Sequence, residues 1–217
     1  MKKVIILGKG ELGIKICKWF YKNQKYKIYA IIPVIPEPKW TNSILKWAKN
    51  NNQYIIESGN YNDLKFDNID LAISIFYDKI INIGFINKCK KIINLHNSPL
   101  PKYRGVSPIN WALKDRCREH GVTIHEITPG IDDGPIISQI KYSIYPEFEE
   151  VEDVYHKAIN YGYVLFKNTI PIIDKIIATN QVDNDSSYHS SADNLLLGDR
   201  RYFTKSVSNK INKSKKT

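Results

Sequence analysis

Short apolar runs alternate with segments of helical spacing through the first half of the chain. Residues 3–7 form an apolar run typical of a buried strand, and residues 8–20 carry apolar side chains at helical spacing. Further strands are predicted at residues 28–32, 54–56, 71–76 and 91–95, with a helix near residues 42–50. Strands that alternate with helices are typical of a mostly parallel sheet covered by helices.

The second half of the chain predicts two more strands and a long helix. Residues 121–127 and 136–144 are the strands, joined through a turn at Asp132. Before them, a helix is predicted to begin at Pro108, with Ser107 as its cap. Apolar residues at helical spacing then predict a helix from about 150 to 178, which Pro171 breaks or kinks. The fold class is therefore α/β, with a Rossmann-like, mostly parallel sheet flanked by helices.

The chain of 217 residues fits one domain with a short extension. The domain is predicted over residues 1–180, and residues 181–217 form the C-terminal extension. Within the extension, residues 188–203 hold leucines and aromatic side chains and are predicted to pack back as a flap. The basic, polar tail at residues 209–217 is predicted to be disordered.

Composition excludes several classes of protein. The net charge of +10 invites a nucleic-acid partner, but much of the excess lies in short Lys/Asn/Ile stretches and in the tail, so solubility explains it and no nucleic-acid partner is expected. No apolar run is long enough to cross a bilayer and no secretory signal is found, which predicts a cytoplasmic protein without membrane contact. Three cysteines without CxxC spacing predict neither disulfides nor a zinc site, and no metal is expected.

The sequence Gly-Lys-Gly-Glu-Leu-Gly at residues 8–13 follows a predicted strand and opens a helix, as in many dinucleotide sites. Such sites carry an acidic residue at the end of the next strand, where it binds a ribose hydroxyl. Here that strand ends in Pro33. NAD binding is therefore disfavoured.

An amide and an imidazole emerge together from one predicted strand. Successive strand residues face opposite sides, so Asn94 and His96 share one face. Asp132 enters a turn farther along and would complete an Asn/His/Asp set of the kind that acyl chemistry needs. Alone, an Asn-x-His at a strand end is usually a capping or turn device, and an Asp-Asp-Gly turn is a common connection between strands.

Three sequence blocks that occur in order along the chain favour a catalytic interpretation over a purely structural one. They are residues 93–105, 121–125 and 131–137. Together they resemble the folate-dependent formyltransferase family. The resemblance implies a formyltransferase fold, 10-formyltetrahydrofolate as the co-substrate, and a primary amine as the acceptor. The chain departs from the family pattern where it reads Ser-Pro-Leu-Pro at residues 98–101 and Asp-Asp-Gly at residues 132–134. The second departure leaves open whether Asp132 or Asp133 faces His96.

Carried over by position, the resemblance assigns two groups of residues, and a third follows from the charge of the expected acceptor. The catalytic set is Asn94, His96 and Asp132. The folate-binding set is Tyr77, Asp78, Lys79, Ile80, Pro129, Gly130 and Ile131. The set expected to bind the acceptor is Gly10, Lys9, Ser98, Lys102 and Arg104, with Lys9, Lys102 and Arg104 as candidates for a pyrophosphate.

The acceptor separates the subfamilies. Methionyl-tRNA enzymes of this family carry a further barrel domain, for which too few residues follow the predicted long helix. Glycinamide ribonucleotide enzymes have a phosphate-binding turn where this chain places Glu11, which disfavours that alternative. The chain looks most like sugar N-formyltransferases, with a dTDP-4-amino-4,6-dideoxyhexose as the expected acceptor and surface polysaccharide synthesis as the expected role. A non-catalytic nucleotide or folate-binding module stays a second alternative, and a homodimer is expected by analogy.

Overall fold

The computed structural model describes residues 1–201 and contains eight strands and five α-helices over that range. The strands are β1 (Lys2–Gly8), β2 (Tyr26–Pro33), β3 (Leu71–Ile75), β4 (Ile92–His96), β5 (Arg104–Gly105), β6 (Glu119–Glu126), β7 (Ile136–Ser143) and β8 (Tyr188–His189). The helices are α1 (Gly10–Lys22), α2 (Ile44–Asn50), α3 (Ile83–Ile86), α4 (Pro108–Lys114) and α5 (Val151–Thr169).

Six strands form one sheet in the order β2-β1-β3-β4-β6-β7. The first four strands in this order run parallel, and β6 is antiparallel to both of its neighbours, β4 and β7. The chain leaves β1 toward β2 on one side and returns to β3 on the other, so a topological switch point lies between β1 and β3. The predicted fold class, α/β with a mostly parallel sheet flanked by helices, is confirmed.

The alternation of side chains along β1 explains why both faces of the sheet are covered. Val4 and Ile6 are fully buried in the core beneath α1 and α5, whereas Ile5 and Leu7 are fully buried in a second core on the opposite face. A strand with apolar side chains at every position buries all of them only when both faces of the sheet are covered. The apolar run at the N-terminus therefore becomes a central strand.

Three local predictions differ from the structure. Residues 54–56 make only a single bridge, between Ile31 and Ile55, because this short segment meets the sheet at one point of its edge. The helix predicted to reach about residue 178 ends as an α-helix at Thr169 and is followed by a 3₁₀ helix over Ile170–Lys175, since Pro171, which was predicted to break or kink it, cannot donate the next helical hydrogen bond. Ser107 stands at the N-terminus of α4 in a left-handed conformation (φ 57°) and makes no side-chain cap.

The segment after residue 180 returns to the body of the protein. β8 pairs in parallel with β5, and Leu197 is buried in the main core. Phe203, at the end of the predicted flap, and the predicted disordered tail at residues 209–217 lie outside the described residues.

His120 is a fully buried histidine in β6 that makes the fold sensitive to acid. Its Nε2–H donates to the carbonyl oxygen of Asn97 at 2.8 Å. Burial lowers the pKa of His120 to about 4, although the hydrogen bond to Asn97 opposes the shift. Between pH 6.5 and pH 4 the unfolded chain therefore binds a proton that the folded chain refuses, and stability falls as the pH falls through this window.

We expect the His120→Gln variant, which keeps a neutral donor, to lose this part of the pH dependence. The wild type should lose about 3 kcal/mol more unfolding free energy than the variant between pH 7 and pH 4. Urea unfolding at a series of pH values measures the difference. Parallel curves for the two proteins would contradict the assignment to His120.

Candidate active site

A cleft of about 750 Å³ opens beyond the carboxyl ends of β1, β3 and β4. This is the edge of the sheet at which the topological switch point lies, where ligands bind in open α/β sheets. The cleft wall includes Lys9 after β1, Phe76 and Tyr77 after β3, and His96 at the end of β4. One cleft thus collects residues from separate motifs of the sequence.

Asn94 and His96 project from one face of β4 into this cleft, as the strand alternation predicts. The Asn94 side-chain amide donates to Oδ1 of Asp132 at 3.1 Å. The nitrogen, and not the oxygen, of the Asn94 side chain faces the carboxylate, since two oxygens would repel each other. The same nitrogen lies 3.2 Å from Nε2 of His125.

Both ring nitrogens of His96 face hydrogen-bond acceptors. Nε2–H donates to the backbone carbonyl of Tyr103 at 2.8 Å, and Nδ1 lies 3.4 Å from Oδ2 of Asp132. A carboxylate only accepts, so a proton on Nδ1 is needed for a hydrogen bond there. The Nε2–H bond to Tyr103 therefore fixes the orientation of the ring, with Nδ1 turned toward the Asp132 carboxylate.

Asp132, and not Asp133, faces His96. Asp132 has a left-handed backbone (φ 52°), and its Oδ2 also accepts from the backbone N–H of Gly105 at 2.9 Å. Burial by itself would raise the pKa of Asp132, but the charges of His96 and His125 and the Gly105 hydrogen bond hold it well below its usual range. Asp133 is exposed and accepts from the Thr128 hydroxyl. Asp132 is therefore the half-buried, ionised partner.

His125 was missed as a site residue by the sequence analysis. Its Nδ1–H donates to the carbonyl oxygen of Glu126 at 2.8 Å, which leaves Nε2 toward Asn94 and, at 3.4 Å, toward Oδ1 of Asp132. His125 stands directly opposite Asn94 in the β4–β6 ladder. Only that antiparallel register brings the two side chains together, although the block at residues 121–125 already pointed to this strand.

The network combines a hydrogen-bond donor with a carboxylate that two imidazole rings flank. The Asn94 amide can stabilise a developing oxyanion, and the Asp132 carboxylate can stabilise a positive charge that develops nearby. Such a site suits an addition in which one oxygen becomes negative while an attacking nitrogen loses a proton.

Most residues predicted to bind folate line the cleft, and two of them also hydrogen-bond to the backbone of the cleft wall. Tyr77, Asp78, Lys79 and Ile80 all line the cleft, as do Gly130 and Ile131. The Tyr77 hydroxyl and Lys79 Nζ both donate to the carbonyl oxygen of Gly59, at 2.6 and 2.9 Å, so these two side chains also brace the wall. Pro129 is not part of the cleft lining.

Two features of the wall fit a flat heterocycle such as a pterin. Ile80 is 68% exposed and Ile131 is 39% exposed, and both offer apolar surface at the cleft. Asn97 lines the same cleft, and its side-chain oxygen is buried with no hydrogen-bond partner among the described residues. A buried acceptor of this kind suits a donor on a ligand.

Among the residues predicted to bind the acceptor, Lys9 lines the cleft. Burial lowers the pKa of Lys9, and the nearby charge of Asp78 works in the opposite direction. Gly10 is buried with φ +73°, and a Cβ there would lie 2.9 Å from the Thr41 hydroxyl oxygen. A glycine at this position therefore lets the start of α1 lie close to Thr41. Gly10 does not line the cleft.

Three more of the residues predicted to contact the acceptor do not line this cleft. Ser98 is fully buried, and its hydroxyl donates to the carbonyl oxygen of Lys102 at 2.7 Å, so it fixes the loop. Lys102 is exposed and lies outside the cleft lining. The Arg104 guanidinium donates to Oε1 of Gln181 at 2.9 and 3.0 Å and also lies outside the lining. The sequence placed these residues correctly in the loop after β4, but it did not predict which of their side chains reach the cleft.

The cleft also has walls that the sequence analysis did not assign. Trp40 and Tyr155 pack edge to face at its border, with ring centroids 5.4 Å apart. Tyr188, Ser190 and Ser191 come from the C-terminal segment and line the cleft as well. Within residues 1–201 no group of three potential metal ligands lies together, and no helix there has the length and apolar character needed to cross a membrane.

Comparison with known proteins places this site in context. A family model described as "Formyl transferase" matches residues 15–170. The "Bifunctional polymyxin resistance protein ArnA" of Wigglesworthia glossinidia brevipalpis is 33% identical over 202 residues, and the match covers 86% of this chain and 30% of that protein. A "Methionyl-tRNA formyltransferase" of Ehrlichia canis is 26% identical, with coverage of 86% and 66%. The chain thus spans less than a third of the first relative and about two thirds of the second.

A similar solved structure is the N-formyltransferase from Helicobacter canadensis in complex with folinic acid and dTDP-3-aminofucose. It is 30% identical to this chain, with a TM-score of 0.79, and the similarity covers 89% of this chain and 72% of that one.

Proposed function

This chain belongs to the formyl transferase family, and from that membership we propose that it transfers a formyl group from 10-formyltetrahydrofolate to the primary amine of a nucleotide-linked amino sugar. The observation that carries the proposal is the linked set of Asn94, His96 and Asp132 at the cleft, in a chain 30% identical to an enzyme solved with folinic acid and a dTDP-amino sugar. The folate supplies the formyl group, and we propose that Tyr77, Ile80 and Ile131 bind the folate.

The proposed roles follow from where charge develops. When the amine attacks the formyl carbon, the formyl oxygen gains negative charge and the amine nitrogen gains positive charge. Asn94 donates to that oxygen through its side-chain amide. Asp132 holds the ring of His96 in place beside the reacting centre. The bond between the formyl carbon and the folate nitrogen then breaks, and that nitrogen takes up the proton that the amine loses, so that tetrahydrofolate and the formamide are the products.

A diphosphate of the acceptor is proposed to contact Lys9. Of the three cations predicted for this role, Lys9 is the one that lines the cleft, whereas Lys102 and Arg104 lie outside its lining. The exposed ring of Trp40 lies at the same border of the cleft and offers a face to a nucleobase.

The test is mass spectrometry of each candidate acceptor after incubation with the protein and 10-formyltetrahydrofolate. We expect a formyl mass gain on a dTDP-linked amino sugar, with the 3-amino and 4-amino hexoses assayed separately. Controls replace the donor by tetrahydrofolate and the acceptor by a dTDP-hexose without an amine. A gain only on glycinamide ribonucleotide or only on methionyl-tRNA would overturn the sugar assignment and keep the reaction class.

A further inference from the structure

Residues 181–191, here called the strap, run along the outer side of the loop at residues 103–106. The backbone N–H groups of Arg104 and Val106 donate to the carbonyl oxygens of Ser187 and His189, both at 2.8 Å. The backbone N–H of Tyr103 donates to the Ser187 hydroxyl, also at 2.8 Å. The strap therefore fixes the backbone of this loop by pairing as a short strand.

The inner side of the same loop orients the proposed catalytic residues. The carbonyl oxygen of Tyr103 accepts from His96, and the N–H of Gly105 donates to Asp132. Gly105 has φ +89°, and a Cβ there would lie 2.2 Å from the carbonyl oxygen of His189. A glycine is thus required for the strap to approach this closely.

The C-terminal part of the strap, from β8 to Ser191, is anchored and borders the cleft. The His189 ring stacks on Trp111, with centroids 3.9 Å apart and planes inclined by 10°. Tyr188, Ser190 and Ser191 then line the cleft itself. The strap is therefore joined to α4 on one side and to the cleft on the other.

The start of the strap reaches Asp132 directly. The Gln181 side-chain amide donates to the carbonyl oxygens of Asp132 at 2.8 Å and of Gly134 at 2.7 Å. Its Oε1 accepts from the Arg104 guanidinium. One carboxamide therefore ties the turn that carries Asp132 to the loop that contacts Asp132.

We propose that Gln181 is a positioning residue that acts through Asp132, and that the strap sets the geometry of the site. Asp132 has a left-handed backbone, which is unfavourable for a residue with a Cβ and persists only when its surroundings hold it. The two hydrogen bonds from Gln181 hold the turn on both sides of Asp133. Without them the turn can relax, and the Asp132 carboxylate moves away from Asn94 and His96. This inference rests on the proposed function for its catalytic consequence.

The test compares Gln181→Ala, Gln181→Glu and the control Gln53→Ala in the full chain. Gln53 also donates through its side-chain amide to a backbone carbonyl, that of Asn51 at 2.7 Å, but is not part of the cleft lining. We expect Gln181→Ala to lower kcat by about 100-fold, as displacements near 1 Å do. The glutamate variant places a carboxylate against two carbonyl oxygens and should be at least as slow. KM values and the activity of Gln53→Ala should stay within about threefold of wild type.

A second readout does not depend on turnover. The ¹⁵N chemical shifts of the histidine rings report the hydrogen bonds of His96 and His125, and we expect them to move in Gln181→Ala but not in Gln53→Ala. If the shifts move in Gln181→Ala while the wild type transfers no formyl group, the positioning role is supported and the proposed function is rejected. Unchanged shifts would overturn the positioning role, whether or not the wild type is active. A fall in kcat matched by an equal loss of folded protein, with unchanged shifts, would mean that Gln181 only stabilises the fold.

Discussion

Asp132→Asn is expected to lower kcat on the order of 1000-fold. The two carboxylate oxygens each accept a hydrogen bond, Oδ1 from Asn94 and Oδ2 from the backbone of Gly105. An asparagine has one acceptor oxygen, so either orientation of its amide sets a donor against a donor. The variant also removes the negative charge that balances His96 and His125. Steady-state kinetics with both substrates measures the effect, and KM should change little because the ligand walls stay intact.

The neighbouring aspartate offers a matched control. Asp133 is exposed, hydrogen-bonds to Thr128 and does not line the cleft. Asp133→Asn carries the same chemical change one residue away and should keep turnover within about threefold of wild type. Equal losses in the two variants would assign the effect to the turn itself and not to the Asp132 carboxylate.

The sequence alone predicted the parts of the site that depend on strand geometry. Asn94 and His96 share a face because strand side chains alternate, and the carboxyl ends of parallel strands meet at one edge of the sheet. The same reasoning brought the residues after β3 to the cleft. These features follow from local periodicity and connection order, and both can be recognised in a single sequence.

Side-chain direction within loops could not be predicted in the same way. Arg104 and Ser98 lie in a loop that borders the site, yet the Arg104 side chain points to Gln181 and the buried Ser98 hydroxyl to the carbonyl oxygen of Lys102. The residue order of a loop does not fix its backbone dihedrals, so which side chains reach a ligand depends on contacts made elsewhere in the chain. For Arg104 that contact comes from a segment far along the sequence.

His125 and Gln181 illustrate the two ways in which a site residue escapes sequence analysis. His125 enters the site through the register of β4 against β6, and a shift of one residue would turn its ring to the opposite face. Gln181 enters through a chain return after α5 that no periodic pattern marks. In both cases the position depends on tertiary pairing, which local spacing does not encode.

Asn94→Ala is expected to lower kcat by a factor of about 100 to 1000, the usual cost of removing one donor to an oxyanion. Folate should still bind, because the walls at Tyr77, Ile80 and Ile131 do not depend on the Asn94 amide. Rapid-quench measurements of formyl transfer, paired with equilibrium binding of tetrahydrofolate, separate the two effects.

Asn94→Asp distinguishes loss of the donor from loss of volume. The aspartate nearly matches the shape of Asn94, but it has no N–H and sets a second carboxylate near Oδ1 of Asp132, to which the wild-type amide donates at 3.1 Å. If Asn94 acts by donating, the aspartate variant should be at least as slow as the alanine variant at neutral pH. If Asn94 only fills space, the aspartate variant should have a higher kcat than the alanine variant. Activity above that of Asn94→Ala would therefore remove the oxyanion role from Asn94.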